Sequence, residues 1–348
     1  MKDIFKISFL IIGTIIGAGF ASGQEISLFF NIFGEIGIIG LIFSSILIGF
    51  LIYTVFNILH TVKINNYNAF VEVVNGKKGK IINIIISIFL IVSFFVMIAG
   101  MGAYFSQQFN FNIVIVILVM DFLCYIFLKK NINGIILINE IVIPFLITCI
   151  LFFGFKNIPF FNIESFDYKS DLFFKCFFSS ILYAGYNSLI LIPILVNIGS
   201  KINTKKQYKI ISIFCTFILI FLGISIFFLL ENSGSYIHNV ELPMLEVLKK
   251  FGINYSFLYG AVIVVAIFTS ALSAGYGFLK NVSENMDKKQ YEKNLLKLCL
   301  VAPIISCIGF SKLIKILYPL FGVLGALQIF AIIYNCYKLK STKKKQNY

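Results

Sequence analysis

Three acidic side chains, Glu25, Asp121 and Glu140, stand inside long apolar stretches of this chain. A carboxyl group in hydrocarbon is costly, so each needs water, a partner or a proton, and each is a candidate functional group. Glu25 closes the run IIGTIIGAGFASGQEI, where Gly13, Gly17, Gly19 and Gly23 crowd a stretch rich in isoleucine. From there it could guard an entry path, meet a substrate amine, or sit as a carboxylate in a wet vestibule. Glu140 follows Asn139 and could bind a proton, assist a cation, or be a hydrogen-bonded buried acid. Asp121 lies in the same span as Lys129 and Lys130 at its end, whose long side chains can snorkel towards it, which favours structural pairing.

Hydroxyls form a second group. The run VVAIFTSALSAGYG brings Thr269, Ser270 and Ser273 to one depth. Their oxygens could coordinate a hard monovalent cation, or could bond back to carbonyls of their own helix. The seven cysteines show no metal-ligand spacing and read as small apolar residues, while His60 and His238 fall at a span end and in a connection and take no role.

These side chains must be positioned by the elements around them. Glycine this dense weakens a helix. Gly13 to Gly17 and Gly19 to Gly23 are each four apart, which suits either close packing of small residues or a break in the helix. A later run, FFSSILYAGYNSLILIPIL, is interrupted by Ser179, Ser180, Gly185, Asn187 and Ser188, and Pro193 follows. Interrupted spans at matching positions of two halves point to an inverted-repeat transporter, because unwound backbone in a membrane must line a wet cavity.

The composition supplies the medium. Of 348 residues, 59% are hydrophobic and 13% charged, with mean hydropathy +0.95. A soluble domain carries roughly 25% charged residues, so a water-soluble fold is excluded. Ten apolar runs lie at about 5–31, 36–59, 81–108, 112–128, 132–155, 172–197, 208–230, 254–280, 295–310 and 313–337. The reading is an all-α integral membrane protein of ten transmembrane helices, forming a single transporter domain over 1–348 with inverted repeats at about 5–155 and 172–337 and breaks in the first and sixth helices. The first run reads as a retained helix, since it continues past the length of a cleaved leader.

The net charge of +14 comes from lysine alone, placed between apolar runs, so it reports topology and not a nucleic-acid partner. With a cytoplasmic N-terminus, only Lys156, Lys169, Lys175, Lys249, Lys250, Lys312 and Lys315 of the 29 lysines lie outside, which leaves 22 inside. That excess predicts cytoplasmic N- and C-termini, in a bacterial inner (plasma) membrane. The segment VELPMLEVLKKFG predicts a short outside cap helix behind Pro243. No Ser-His-Asp set or histidine-carboxylate cluster is present, which argues against an enzyme. Neither a carbonyl filter motif nor rings of charge support a channel.

Ten spans, breaks in the first and sixth, and hydroxyls in the eighth resemble the leucine-transporter fold of the amino acid, polyamine and organocation superfamily. More narrowly, GTIIGAGFASGQE resembles the signature of the YkvI-type bacterial membrane proteins, a family generally described as uncharacterised. The resemblance implies a secondary active transporter of a small organic solute, an amino acid or related compound by the superfamily's example, working by alternating access coupled to sodium or a proton. The alternative is a ligand sensor that keeps the fold without net transport. The superfamily's sodium site falls here on Gly13, Ile16, Ala266, Thr269 and Ser270. Its substrate pocket falls on Gly17, Ala18, Gly19, Tyr183, Gly185 and Asn187, with Tyr104 as a wall, and half-helix N-termini there would suit a carboxylate. Glu140 falls on the fifth span, beside the sodium site. Phe20 stands where some carriers place a polar side chain, which argues against a second sodium. Beyond a small-molecule substrate, an ion and the bilayer, the resemblance implies no cofactor or partner and leaves the oligomeric state open.

Overall fold

The computed structural model describes residues 2–64, 67–129, 135–156, 170–199, 202, 204–233, 240–282 and 288–346. The described elements are helical. In chain order they are α1 (Lys2–Ile15), α2 (Ala18–Ala21), α3 (Gln24–Phe29), α4 (Ile36–Val62), α5 (Tyr67–Asn75), α6 (Gly79–Phe109) and α7 (Ile113–Lys129). Then come α8 (Ile135–Lys156), α9 (Ser170–Gly199), α10 (Lys205–Glu231), α11 (Pro243–Phe251), α12 (Ile253–Val282), α13 (Lys288–Ser306) and α14 (Phe310–Gln346).

Six of these, α4, α6, α9, α10, α12 and the Phe310–Leu339 part of α14, are long and apolar enough to cross a membrane. The surface agrees with that medium: Ile115, Phe122, Phe178, Ile304 and Phe330 are each more than 60% exposed. Such a belt of bare apolar side chains would aggregate in water and is stable against lipid. The chain is therefore a multi-pass helical membrane protein.

The first apolar run does not form one helix. α1 ends at Ile15, Ile16 and Gly17 are unwound, and the chain restarts as the short α2 and, after Gly23, as α3. Gly17 takes an extended backbone, and Gly23 has φ +81, a left-handed conformation that glycine adopts at little cost. A Cβ at Gly23 would also press on Met244 of α11, so both backbone and packing require glycine there.

The break expected in the sixth span is absent. α9 runs without interruption from Ser170 to Gly199 and keeps Pro193 inside it. Its polar residues are absorbed locally. The Asn187 amide donates to the Tyr183 carbonyl (2.9 Å) and the Ser188 hydroxyl to the Gly185 carbonyl (2.6 Å), both within the helix. Gly185 serves close packing: a Cβ there would come within 2.8 Å of the Ala326 backbone nitrogen and press on the Gly322 carbonyl. Small residues at a helix crossing let backbones approach, and α9 and α14 form one of the most extensive contacts in the fold. A glycine in an apolar run thus marked a break in one span and a crossing in the other.

Candidate functional site

The site is built around the unwound segment. Where a helix stops and another begins, the last carbonyls and the first N–H groups lack partners in the ladder. Here the Ile12 and Ile15 carbonyls accept from the Ile16 and Gly17 N–H groups, at 2.8 Å each, which leaves the Gly13 and Thr14 carbonyls of the last turn of α1 and the N–H groups of Ala18, Gly19 and Phe20 at the start of α2. Gly17 is half-buried with open space on its Cβ side, while Ala18, Gly19 and Phe20 are buried.

Glu25, in the first turn of α3, is 3% exposed and folds back over this segment. Its Oε1 occupies the place where a Cβ on residue 19 would stand, so only glycine at 19 admits the carboxyl group. Its Oε2 accepts a hydrogen bond from the Tyr186 hydroxyl of α9. The carboxylate lodged at the break is therefore the chain's own.

Rings enclose the far side. Tyr186 stacks on Phe29 (5.7 Å between centroids) and lies 4.6 Å from Tyr318 of α14. Tyr183 meets Phe29 at 5.5 Å, Phe30 at 5.0 Å and Tyr186 at 5.5 Å, edge to face in each case. Aromatic pairs in these geometries add roughly 0.5–1.5 kcal/mol each beyond their burial. α3, α9 and α14 thus converge on one carboxyl group.

One end of the site is covered by α11, the helix expected behind Pro243. Met244, Leu245, Val247 and Leu248 are buried beneath it. The Gln24 amide donates to the carbonyls of Val240 (2.6 Å) and Glu241 (3.0 Å) and to the Ser311 hydroxyl (3.1 Å). Met244 N–H donates to the Ser22 carbonyl at 2.9 Å. From α6, Gln107 exchanges two hydrogen bonds with the Leu242 backbone, at 3.0 and 3.2 Å. A small cavity persists deeper, lined by Phe20, Ile26, Leu41, Ser45, Ile48, Tyr183, Leu219 and Gly223.

The remaining sequence candidates lie as follows. Asn187 is buried beside Tyr183 on α9, whereas Gly185 faces the α14 crossing. Tyr104 packs over Gly260 at the α6–α12 interface, with Phe105 and Phe109 around its ring. On α12, the Thr269 hydroxyl donates to the carbonyls of Val265 (2.9 Å) and Ala266 (3.2 Å), and Ser273, which is exposed, donates to the Thr269 carbonyl (2.8 Å). Those bonds use hydroxyl protons and leave oxygen lone pairs available to a cation. Ala266 is buried and Ser270 half-buried, so the donor set suits sodium in chemistry. α8 packs against both α1 and α12, and the Tyr259 hydroxyl ties α12 to the Ala21 carbonyl at 2.7 Å. Glu140 belongs to α8, and its side chain lies outside the described residues.

Of the two lysines expected near Asp121, Lys129 does not pair with it. Asp121 is 8% exposed with Cys299 of α13 beside it, and its Oδ1 has no hydrogen-bond partner among the described residues. Lys129 instead sits 5.9 Å above the ring of Tyr125, and Lys130 lies outside the described residues. The α7–α13 packing turns Asp121 inward, which spacing to the lysines along one helix could not reveal. Tyr186, Tyr318 and Gln24 are the participants that sequence reasoning did not single out. Tyr186 carried a signal in its place within the run AGYNS, and Tyr318 carried none.

The chain is thus a helical membrane protein whose first apolar run is unwound at mid-length and covered at one end by a short helix. A Na+-coupled sialic acid symporter, solved in a substrate-bound outward-open state, shares this fold with a TM-score of 0.57 at 15% identity, over 96% of this chain and 78% of that one. The uncharacterized protein YyaD of Bacillus subtilis (strain 168) is 31% identical over 324 residues, covering 91% of this chain and 92% of its own length. The uncharacterized membrane protein YkvI of the same organism is 26% identical over 337 residues, 94% of each chain. This chain belongs to the family of YyaD and YkvI. No family model matches it.

Proposed function

We propose that this chain is a secondary active transporter of a small organic solute, working by alternating access. It would cross the membrane ten times in two inverted halves, about 5–155 and 172–337, with both termini in the cytoplasm of a bacterial cell. The observation that carries the reading is the unwound Ile16–Gly17 segment. Its non-helical backbone, which leaves the Ile16 carbonyl outside the helical ladder, lies deep inside an apolar helix bundle, where irregular chain is tolerated only next to protein or a wet path. Glu25, folded onto that segment and bonded to α9, ties two elements whose separation would open the path.

In this reading the solute meets Gly17, Ala18 and Gly19 together with Tyr183 and Asn187, and α11 shuts the outer side. Sodium is the coupling ion, held by oxygens of Gly13, Ile16, Ala266, Thr269 and Ser270. The sodium-coupled symporter of like fold and the lone pairs left on Thr269 support this choice.

The test is accumulation of radiolabelled solutes in proteoliposomes under an imposed sodium gradient, guided by thermal stability in sodium against potassium across a solute panel. A ligand at a hundredfold excess over its Kd stabilises the folded state by about 2.7 kcal/mol. Sodium-dependent stabilisation with gradient-driven uptake is expected. Solute binding with no accumulation under any gradient would sink the carrier reading.

A further inference from the structure

We propose that Gln328 and Tyr67 bind water in the seam between α14 and α5, and that this seam is the hydrated inner end of the transport path. The inference goes beyond the carrier reading and rests on it for what the path serves. Gln328 stands at the midpoint of α14 and is 2% exposed, and neither its Nε2 nor its Oε1 has a hydrogen-bond partner among the described residues. The Tyr67 phenol at the start of α5 lies beside it, with its hydroxyl oxygen buried and equally without a hydrogen bond. At the other end of α5, Asn75 Nδ2 is buried in the same condition. A primary amide offers two N–H donors and a carbonyl acceptor, so one bond to a phenol would leave most of them bare, and the two side chains cannot satisfy each other. Unbonded polar groups in an apolar interior are costly, and proteins meet that cost with internal water, which makes about three hydrogen bonds to groups of this kind.

The seam continues inward from the solute pocket. Ser188, next to Asn187 on α9, lies with its hydroxyl 3.4 Å from the Gly325 carbonyl of α14, and Gln328 follows Gly325 by about one helical turn. Asn187, Ser188 and Gln328 are all buried. Polar groups therefore step from the pocket through the apolar bundle to Tyr67, and polar side chains inside a membrane mark solute and ion paths. α5 packs against α6, α9 and α14, burying Phe70, Val71 and Val74, and Asn335 of α14 donates to the Val74 carbonyl at 2.7 Å. It connects α4 to α6, so with cytoplasmic termini it lies on the cytoplasmic side, across the bundle from α11.

X-ray hydroxyl-radical footprinting of the full chain in lipid nanodiscs tests the water, because radicals born from a bound water oxidise the ring beside it. Tyr67 should be oxidised, and Gln328→Leu, which takes away the amide that holds the water, should lower that oxidation several-fold. Oxidation unchanged in Gln328→Leu comes from bulk solvent and overturns the proposal, as does a Tyr67 that is not oxidised at all. The path is tested with Gln328→Cys in a Cys307→Ser background, treated with a membrane-impermeant methanethiosulfonate in inside-out and right-side-out vesicles. This measurement also decides if Gln328→Leu fails to fold. The introduced thiol should react from the inner face alone, and reaction from the outer face, or from neither, overturns the proposal. Gradient-driven uptake by the unaltered chain in proteoliposomes separates the two readings. A thiol reactive from the inner face without uptake of any solute keeps the water path and removes the carrier, whereas uptake with an unreactive thiol does the reverse.

Discussion

Glu25 and Gly19 are a matched pair, because the carboxyl group of one fills the space that the other's missing side chain leaves. Gly19→Ala therefore forces the Glu25 carboxyl group to move, against its hydrogen bond from Tyr186. The variant should lose about 1–3 kcal/mol of stability and lose solute binding as well, as read by thermal unfolding with and without ligand. Thr269 is the residue through which the sodium assignment can fail. Thr269→Ala removes one hydroxyl from a buried site and should abolish sodium dependence while costing about 1 kcal/mol in stability. Uptake that stays sodium-dependent in that variant would refute the assignment. The hydroxyl pair was readable from sequence because a helical turn alone brings Ala266 under Thr269. Tyr318 was not readable, because only the packing of α14 on α9 and α3 brings it to Tyr186.

Helices α9 and α11 show what governs the larger pieces. α9 stays continuous because its hydroxyl and amide groups find carbonyls within their own helix and its glycine lies against Gly322 and Gly325 of α14. Gly185→Leu should separate these helices and cost several kcal/mol, measurable as a large fall in Tm or as loss of expression. α11 is held by polar contacts, with Gln24 and Gln107 as its main fasteners. Gln24→Ala leaves the Val240 and Glu241 carbonyls without their donor, so residues 240–251 should exchange amide hydrogens faster while α4 and α10 keep their protection. Unchanged exchange in that segment would show that its apolar face alone seats the cap. The sequence placed the cap helix from Pro243 and an amphipathic pattern, but nothing along the chain pointed to Gln24 as its anchor.

Across the whole molecule, the lysine distribution sets a direction that can be checked chemically. Cys307 is exposed, and six other cysteines are buried. With cytoplasmic termini, Cys307 lies at the outer end of its span. A membrane-impermeant maleimide added to intact cells should label the protein, and Cys307→Ser should abolish the labelling. Labelling only after cells are opened would invert the topology. The medium, the number and order of apolar runs, and the weak point in the first run follow from composition and local pattern. Hydropathy and helix propensity act over short stretches of chain, so those properties are legible without knowing the fold. Which glycine unwinds a helix and which packs one, which way Asp121 turns, and which rings surround Glu25 were decided by tertiary structure. Each depends on partners more than a hundred residues away in sequence, as with Glu25 and Tyr186, and no local pattern encodes such a contact.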